Sequence, residues 1–146
     1  ARLARKTVTT TKGWSEAYGL FLEGEAPLVL SYTTSPAYHM IAEQTERYQA
    51  AAFEEGHYMQ VEVAAIPKAA PQPELARQFL AFMVSPGFQA AIPTGNWMYP
   101  VVDLPDGLPP EFDKLVDPAR PLLFSPEEVS ENRQAWVDEW LQAVSR

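Results

Sequence analysis

Cysteine is absent from all 146 residues, which excludes thiolate catalysis, zinc held on sulfur and disulfide cross-links while leaving the redox compartment open. Histidine is nearly as scarce. His39 and His57 are the only two, and neither stands in a zinc-ligand pair of the HExxH kind. For both, an ordinary place outweighs chemistry: a helix surface or rim for His39 and a strand end for His57. The chain has no GxSxG elbow, no phosphate-binding GxxxxGK loop and no GxGxxG turn, so the familiar hydrolase, nucleotide and dinucleotide signatures are missing. No apolar run approaches the roughly 18 residues of a membrane span. The opening Ala1-Arg2-Leu3-Ala4-Arg5-Lys6 lacks the apolar centre of a signal peptide. Because the first residue is not Met and strand-like sequence begins almost at once, the chain is read as a piece of a longer protein. Positive charge is also in deficit. A formal net charge of −8 and a pI near 4.7 disfavour nucleic acid or an anionic membrane as partner and suit a cationic ligand.

A hydrophobic fraction of 47% is that of an ordinary globular chain with a core. Its most distinctive stretch runs from Leu28 to Tyr38. Leu28-Val29-Leu30 is an unbroken apolar run that reads as a strand buried on both faces, and it gives way at Ser31 to hydroxyls and aromatics. Ser35 is a favoured helix N-cap and Pro36 a favoured first helical residue, which predicts a helix whose free amides face the strand's carboxyl end. Open α/β sheets receive ligands at that place.

Upstream, the β-branched run Thr7-Val8-Thr9-Thr10-Thr11 predicts a first strand, and Ala17, Leu20 and Phe21 predict a short helix ending at Gly24. Strand, helix and strand then form a right-handed βαβ unit, bringing Trp14 beside Tyr32, Thr33, Thr34 and Ser35 at one sheet edge. Downstream, the Ser35 helix is expected to reach about Ala52, and alternation from His57 to Ala65 predicts a half-buried strand. A helix opens at Pro73 with Leu75, Phe79, Phe82 and Met83 facing a core, and Ser85-Pro86 starts another. The loop from Pro93 to Pro100 is aromatic enough to suggest a recognition surface, and the proline-rich segment after it holds one helical turn around Glu111 to Val116. Ser125-Pro126-Glu127-Glu128 is a capping box opening an amphipathic helix to the end, on which Trp136 and Trp140 are core or interface residues. The fold class is therefore α/β, with residues 1–66 a βαβ ligand segment and residues 67–146 a helical segment carrying the aromatic loop 93–100. Trp14, Tyr32, Tyr38 and Trp97 each sit at a strand end, helix start or loop, where a shared aromatic pocket and separate packing are equally open; a cation over such a ring gains roughly 0.5 to 2 kcal/mol.

Three strings, Lys12-Gly13-Trp14-Ser15-Glu16-Ala17-Tyr18-Gly19-Leu20, Leu30-Ser31-Tyr32-Thr33-Thr34-Ser35-Pro36-Ala37-Tyr38-His39 and Ile92-Pro93-Thr94-Gly95-Asn96-Trp97-Met98-Tyr99-Pro100, closely resemble the thiamine-binding periplasmic proteins of bacterial ABC importers. The likeness continues through Glu55-Gly56-His57-Tyr58, Phe82-Met83-Val84-Ser85-Pro86 and Arg133-Gln134-Ala135-Trp136. It implies the carboxy-terminal half of a two-lobed periplasmic binding protein (type II). Such a protein encloses thiamine, thiamine monophosphate or thiamine diphosphate between its lobes and delivers it to an ABC permease, with no reaction, cofactor or metal. The missing amino-terminal half supplies the other wall of the cleft and the export signal, and the resemblance places the protein in the periplasm. Carried over by motif, the ligand contacts are Trp14, Tyr32, Thr33, Thr34, Ser35, Tyr38 and Trp97. Trp14 and the segment Tyr32 to Ser35 are reached both by the strand-end argument and by the resemblance, whereas Trp97 rests mainly on the latter. Two alternatives stand beside it: a binding protein for another cationic or metal ligand, and a structural fragment that self-associates.

Overall fold

The computed structural model describes residues 3–145, which divide into two units. One comprises the segments up to Ser31 and from Leu122 onward; the other is the continuous stretch Tyr32–Pro121.

In the first unit a 3-10 turn, Ala4–Lys6, leads into extended chain and then into helix α1, Trp14–Leu22. The Lys12 amide donates to the Glu16 carboxylate at 3.2 Å, closing the turn before the helix and setting an acidic group at its positive end. The far end of α1 is a Schellman closure. Gly24 takes the left-handed φ of 85° that glycine adopts without a side-chain clash, its amide donates to Phe21 O, and Glu25 N–H donates to Leu20 O. The unit's other helix, numbered α6 in chain order, is Pro126–Val144. Its capping box is complete: Glu128 N–H donates to Ser125 Oγ and Ser125 N–H to Glu128 Oε2, both at 3.1 Å. Phe124 stacks on Trp136 with ring centroids 5.0 Å apart, which half-buries the latter, while Trp140 lies exposed.

The second unit contains α2 (Ser35–Ala42), β1 (His57–Tyr58), α3 (Pro73–Met83), α4 (Pro86–Gln89), α5 (Ile92–Gly95) and a 3-10 segment Pro110–Lys114. Its last residue, Pro121, opens the two-residue strand β2, Pro121–Leu122, which pairs with β1 next to a bond from His57 N–H to Arg120 O. Its buried centre is made where short elements meet: Pro36, Ala37 and His39 of α2, Gln89 of α4, Pro93 of α5 and Phe112 of the 3-10 segment. Ser85 caps α4 by accepting from Phe88 N–H, as the Ser85-Pro86 pair implies.

Several expectations are overturned. Thr7–Thr11 and Leu28–Leu30 are not strands, the strand expected from His57 to Ala65 is reduced to His57–Tyr58, and the βαβ unit is not formed. Leu28 and Leu30, expected to be buried on both faces, are 74% and 90% exposed. A strand is stabilised by pairing with a neighbour, and among the described residues no backbone-to-backbone bond joins 28–30 or 59–65 to another segment. Helix α2 stops at Ala42 instead of continuing to about Ala52, because Gln44 turns left-handed (φ 54°) and Thr45 N–H folds back to His39 O. Helix α3 begins at Pro73 as anticipated, yet Leu75, Phe79 and Phe82 are more than half exposed rather than facing a core. Glu54 and Glu55 occupy a turn.

The completeness of the α6 capping box makes a simple prediction. Ser125→Ala removes one bond and frees the Glu128 amide, and should cost about 1 kcal/mol in urea denaturation of the protein. An unchanged midpoint would show that α6 does not depend on its cap.

Candidate functional site

Within the second unit the sequence-selected residues cluster around the start of α2 and the end of α5. The chain enters as Tyr32 and Thr33, and Thr34, only 4% exposed, is the N-cap position of α2. The helix thus begins at Ser35, one residue earlier than the expected cap placement, and Pro36 takes a place in its first turn. The anticipated free amides are not there. Ser35 N–H donates to Tyr32 O at 3.1 Å and Ala37 N–H to Thr34 O at 3.0 Å, and Pro36 has no amide hydrogen, so the first turn satisfies its own donors.

One turn into α2, Tyr38 presents its ring to Trp97. The centroids are 5.2 Å apart at 79°, an edge-to-face pair worth roughly 0.5 to 1.5 kcal/mol beyond burial. Trp97 holds a backbone conformation that is rare for a bulky side chain. It follows the C-terminal cap of α5, Asn96, and has φ 56°, the left-handed position normally taken by glycine. Placing a tryptophan there costs roughly 1 to 3 kcal/mol, and such outliers persist where surrounding contacts over-determine them. The contacts are present: Thr34 Oγ1 donates to Met98 Sδ at 3.8 Å, and Asn96 Nδ2 to the Glu62 carboxylate at 3.2 Å.

Behind this pair lies His39, expected at a surface or rim but completely buried. Its Nδ1 is 2.6 Å from Glu43 Oε2, one turn along α2. The imidazole is 4.3 Å from the Tyr48 ring and meets Tyr38 edge-on at 5.1 Å. A buried polar ring flanked by aromatics and tied to a carboxylate backs the exposed Tyr38 with rigid packing. His57 has the strand-end place expected of it, its Nε2 accepting from Phe53 N–H.

Trp14 belongs to the first unit. It is the first residue of α1, 52% exposed, with its indole against Tyr18 (4.7 Å between centroids) and its Nε1–H donating to Ser31 Oγ at 3.3 Å. The shared sheet edge expected to bring Trp14 beside Tyr32, Thr33, Thr34 and Ser35 is not formed; the bond to Ser31 lies within the first unit, whereas Tyr32 to Ser35 belong to the second.

Away from the aromatic pair, a surface pocket of about 240 Å³ is bordered by Pro36, Met40, Glu46, Tyr48, Lys114 and Leu115. Lys114 Nζ lies 2.5 Å from Glu46 Oε1, and this bond holds the Glu46 carboxyl below its ordinary range and the Lys114 ammonium above its own. The attraction operates while both are charged. It is lost as pH falls through the Glu46 value or rises through that of Lys114, and with both groups exposed its effect on stability is small. At the other end of the aromatic loop, burial pushes the Tyr99 phenol upward, with Asp117 and Asp113 acting in the same sense.

Comparison with known proteins now gives this geometry a context. Residues 2–90 match the family described as "Bacterial extracellular solute-binding protein", and the chain belongs to that family. More particularly, it is 66% identical over 99% of its length to the "Thiamine-binding periplasmic protein" of Escherichia coli (strain K12), and 42% identical over the same share to the protein of that description in Haemophilus influenzae. A solved structure described as "Periplasmic thiamin binding protein" superposes with a TM-score of 0.94 at 66% identity, covering 99% of this chain and 45% of that one. The chain spans 44% of the length of the Escherichia coli relative and 43% of the Haemophilus influenzae one. The α/β character expected from sequence agrees with this likeness.

The left-handed Trp97 can be tested without any ligand. Trp97→Gly and Trp97→Ala both delete the indole, but only glycine relaxes the backbone, so the glycine variant should be the more stable of the two by about 1 kcal/mol in chemical denaturation. Equal stability would mean that the loop simply relaxes around alanine.

Proposed function

We propose that this chain is the carboxy-terminal part of a two-lobed periplasmic binding protein that captures thiamine, with its phosphate esters in the same ligand class, and hands it to an ABC permease without catalysing a reaction. The observation that carries the proposal is the identity of 66% across 99% of the chain to a protein described as thiamine-binding and periplasmic, which includes every residue of the Tyr38–Trp97 corner in its aligned span. The physical chemistry supports it from below. Thiamine joins two flat aromatic rings through a methylene group and carries its positive charge on one of them; an acidic chain with exposed tyrosine and tryptophan edges offers both long-range attraction and local cation–π contact. On this reading Tyr32, Thr33, Thr34, Ser35, Tyr38 and Trp97 contribute ligand contacts from the second unit, and Trp14 is a further contact assigned on the resemblance.

Extended, unpaired apolar segments support the two-lobed part of the proposal. Val8, Leu28, Leu30, Val61 and Val63 have strand-forming sequence and exposed side chains, as expected of strands whose neighbours lie in polypeptide outside this chain. The apolar face of α3 around Leu75 and Phe79 needs cover in the same way, and in the absence of the rest of the protein self-association would supply it.

Titration calorimetry of the full-length protein with thiamine, the monophosphate and the diphosphate tests the reading; no heat with any of them would overturn it. Two further outcomes are expected. Tyr38→Ala in that protein should weaken thiamine binding by about 1 to 3 kcal/mol, with a smaller effect on melting, as for an aromatic anchor. The 146-residue chain alone, having one wall of the cleft and leaving the ligand half wet, should bind at least about a hundredfold more weakly, a difference of roughly 2.7 kcal/mol. Sedimentation of the same sample should show self-association, and a monomer with full affinity would contradict the enclosure argument.

A further inference from the structure

Gln89 is a buried amide that the aromatic corner does not account for. It is 7% exposed, at the last position of α4, and both ends of its side chain are bonded to backbone. Nε2 donates to Met83 O at 2.7 Å, at the C-terminal end of α3, and Oε1 accepts from Val101 N–H at 2.9 Å, just beyond the Trp97 loop. One side chain thus joins the point where α3 stops to the point where the chain leaves α5 and Trp97. The pairing requires a donor facing a carbonyl and an acceptor facing an amide, which glutamine supplies and neither glutamate nor methionine does.

The remaining ties on the loop are weaker or more exposed. Asn96 reaches the Glu62 carboxylate at the surface, and Thr34 meets a thioether sulfur on Met98, a weak acceptor. Trp97 in between has the left-handed φ of 56°, a conformation that needs neighbours to over-determine it. Thr34 and Gln89 are both buried, but Thr34 offers the loop only its contact with sulfur, whereas the Gln89 amide makes two N–H···O bonds that are not diluted by competition with water.

We propose that Gln89 is a positioning residue: its amide clamps the loop 96–101, which follows α5, to the end of α3 and so sets the place of the Trp97 indole opposite Tyr38. The effect on ligand affinity rests on the reading of Trp97 as a wall of the thiamine site; the effect on the loop does not.

The test uses the full-length protein with Gln89→Glu and Gln89→Met, and two measurements: thiamine affinity relative to wild type at the same pH, and hydrogen exchange of the Val101 amide without ligand. The ionised carboxylate presents an acceptor to Met83 O, so Gln89→Glu should bind about tenfold more weakly near pH 8. As pH is lowered to about 5, the carboxyl, raised by burial, takes up a proton and donates to Met83 O again, and affinity should return to within about threefold of wild type. Gln89→Met, which lacks both groups, should be weakened to a similar degree at both pH values and should exchange the Val101 amide at least about tenfold faster. Gln89→Met buries no charge and keeps the test open if Gln89→Glu cannot be purified. A Gln89→Glu protein with no pH-dependent recovery, or a Gln89→Met protein with wild-type exchange at Val101, overturns the clamp. Wild-type protein that binds no thiamine would sink the functional reading alone, and the Val101 exchange would then decide the clamp by itself.

Discussion

A backbone amide or carbonyl withdrawn from water must find a partner, and in this chain helices and turns meet that requirement far more than sheets do. Each α-helix pairs its own backbone within a few residues, so α1, α2, α3 and α6 form wherever local sequence permits. Sheet pairing needs a second segment, and β1 with β2 provides the one instance among the described residues. The apolar, β-branched runs at 7–11, 28–30 and 59–65 stay extended with exposed side chains. The same requirement shapes the start of α2, where Tyr32 O and Thr34 O take up the Ser35 and Ala37 amides.

What could be read from sequence divides along the same line. The start and cap of α6 follow from Ser125 and Glu128, and the start of α4 from Ser85, because capping is decided within one turn of chain. The end of α2 was not legible, since Gln44 carries no compositional mark of a left-handed residue. Strand sequences were recognisable at Leu28–Leu30, but whether they pair is a property of their neighbours rather than of themselves. The positions of Tyr38 and Trp97 were marked by motif, whereas their edge-to-face contact joins residues far apart in the chain. His39 and Gln89 were misplaced or missed altogether. A single histidine on a helix and a single glutamine after Pro86-Gly87-Phe88 look like surface residues until the elements that bury them are assembled; the one available signal, a histidine four residues ahead of Glu43, is common on exposed helices too.

The aromatic corner joins a packed side to an open one. His39, fixed between Glu43 and Tyr48, supports Tyr38 from within, and the strained Trp97 faces it from the end of α5. Most of the unit's buried residues, among them Pro36, Ala37, His39 and Pro93, come from the elements that carry these two rings, and Gln89 of α4 adds one more. The buried part of the unit thus lies largely beneath these two rings rather than being spread evenly through it.

The division of the chain into a continuous unit and a discontinuous one sets an order on biosynthesis. Every residue of Tyr32–Pro121 has been made before the ribosome reaches α6, so that unit can assemble while synthesis continues. The first unit is discontinuous: its opening segment, with α1 and Trp14, and its later segment, with α6, are separated by the whole of the second unit. Bringing those segments together closes a loop that already contains folded protein, which shortens the flexible path between them and lowers the entropy lost at that step. A nascent chain arrested before Pro126 would thus hold the aromatic corner already formed and the first unit still open.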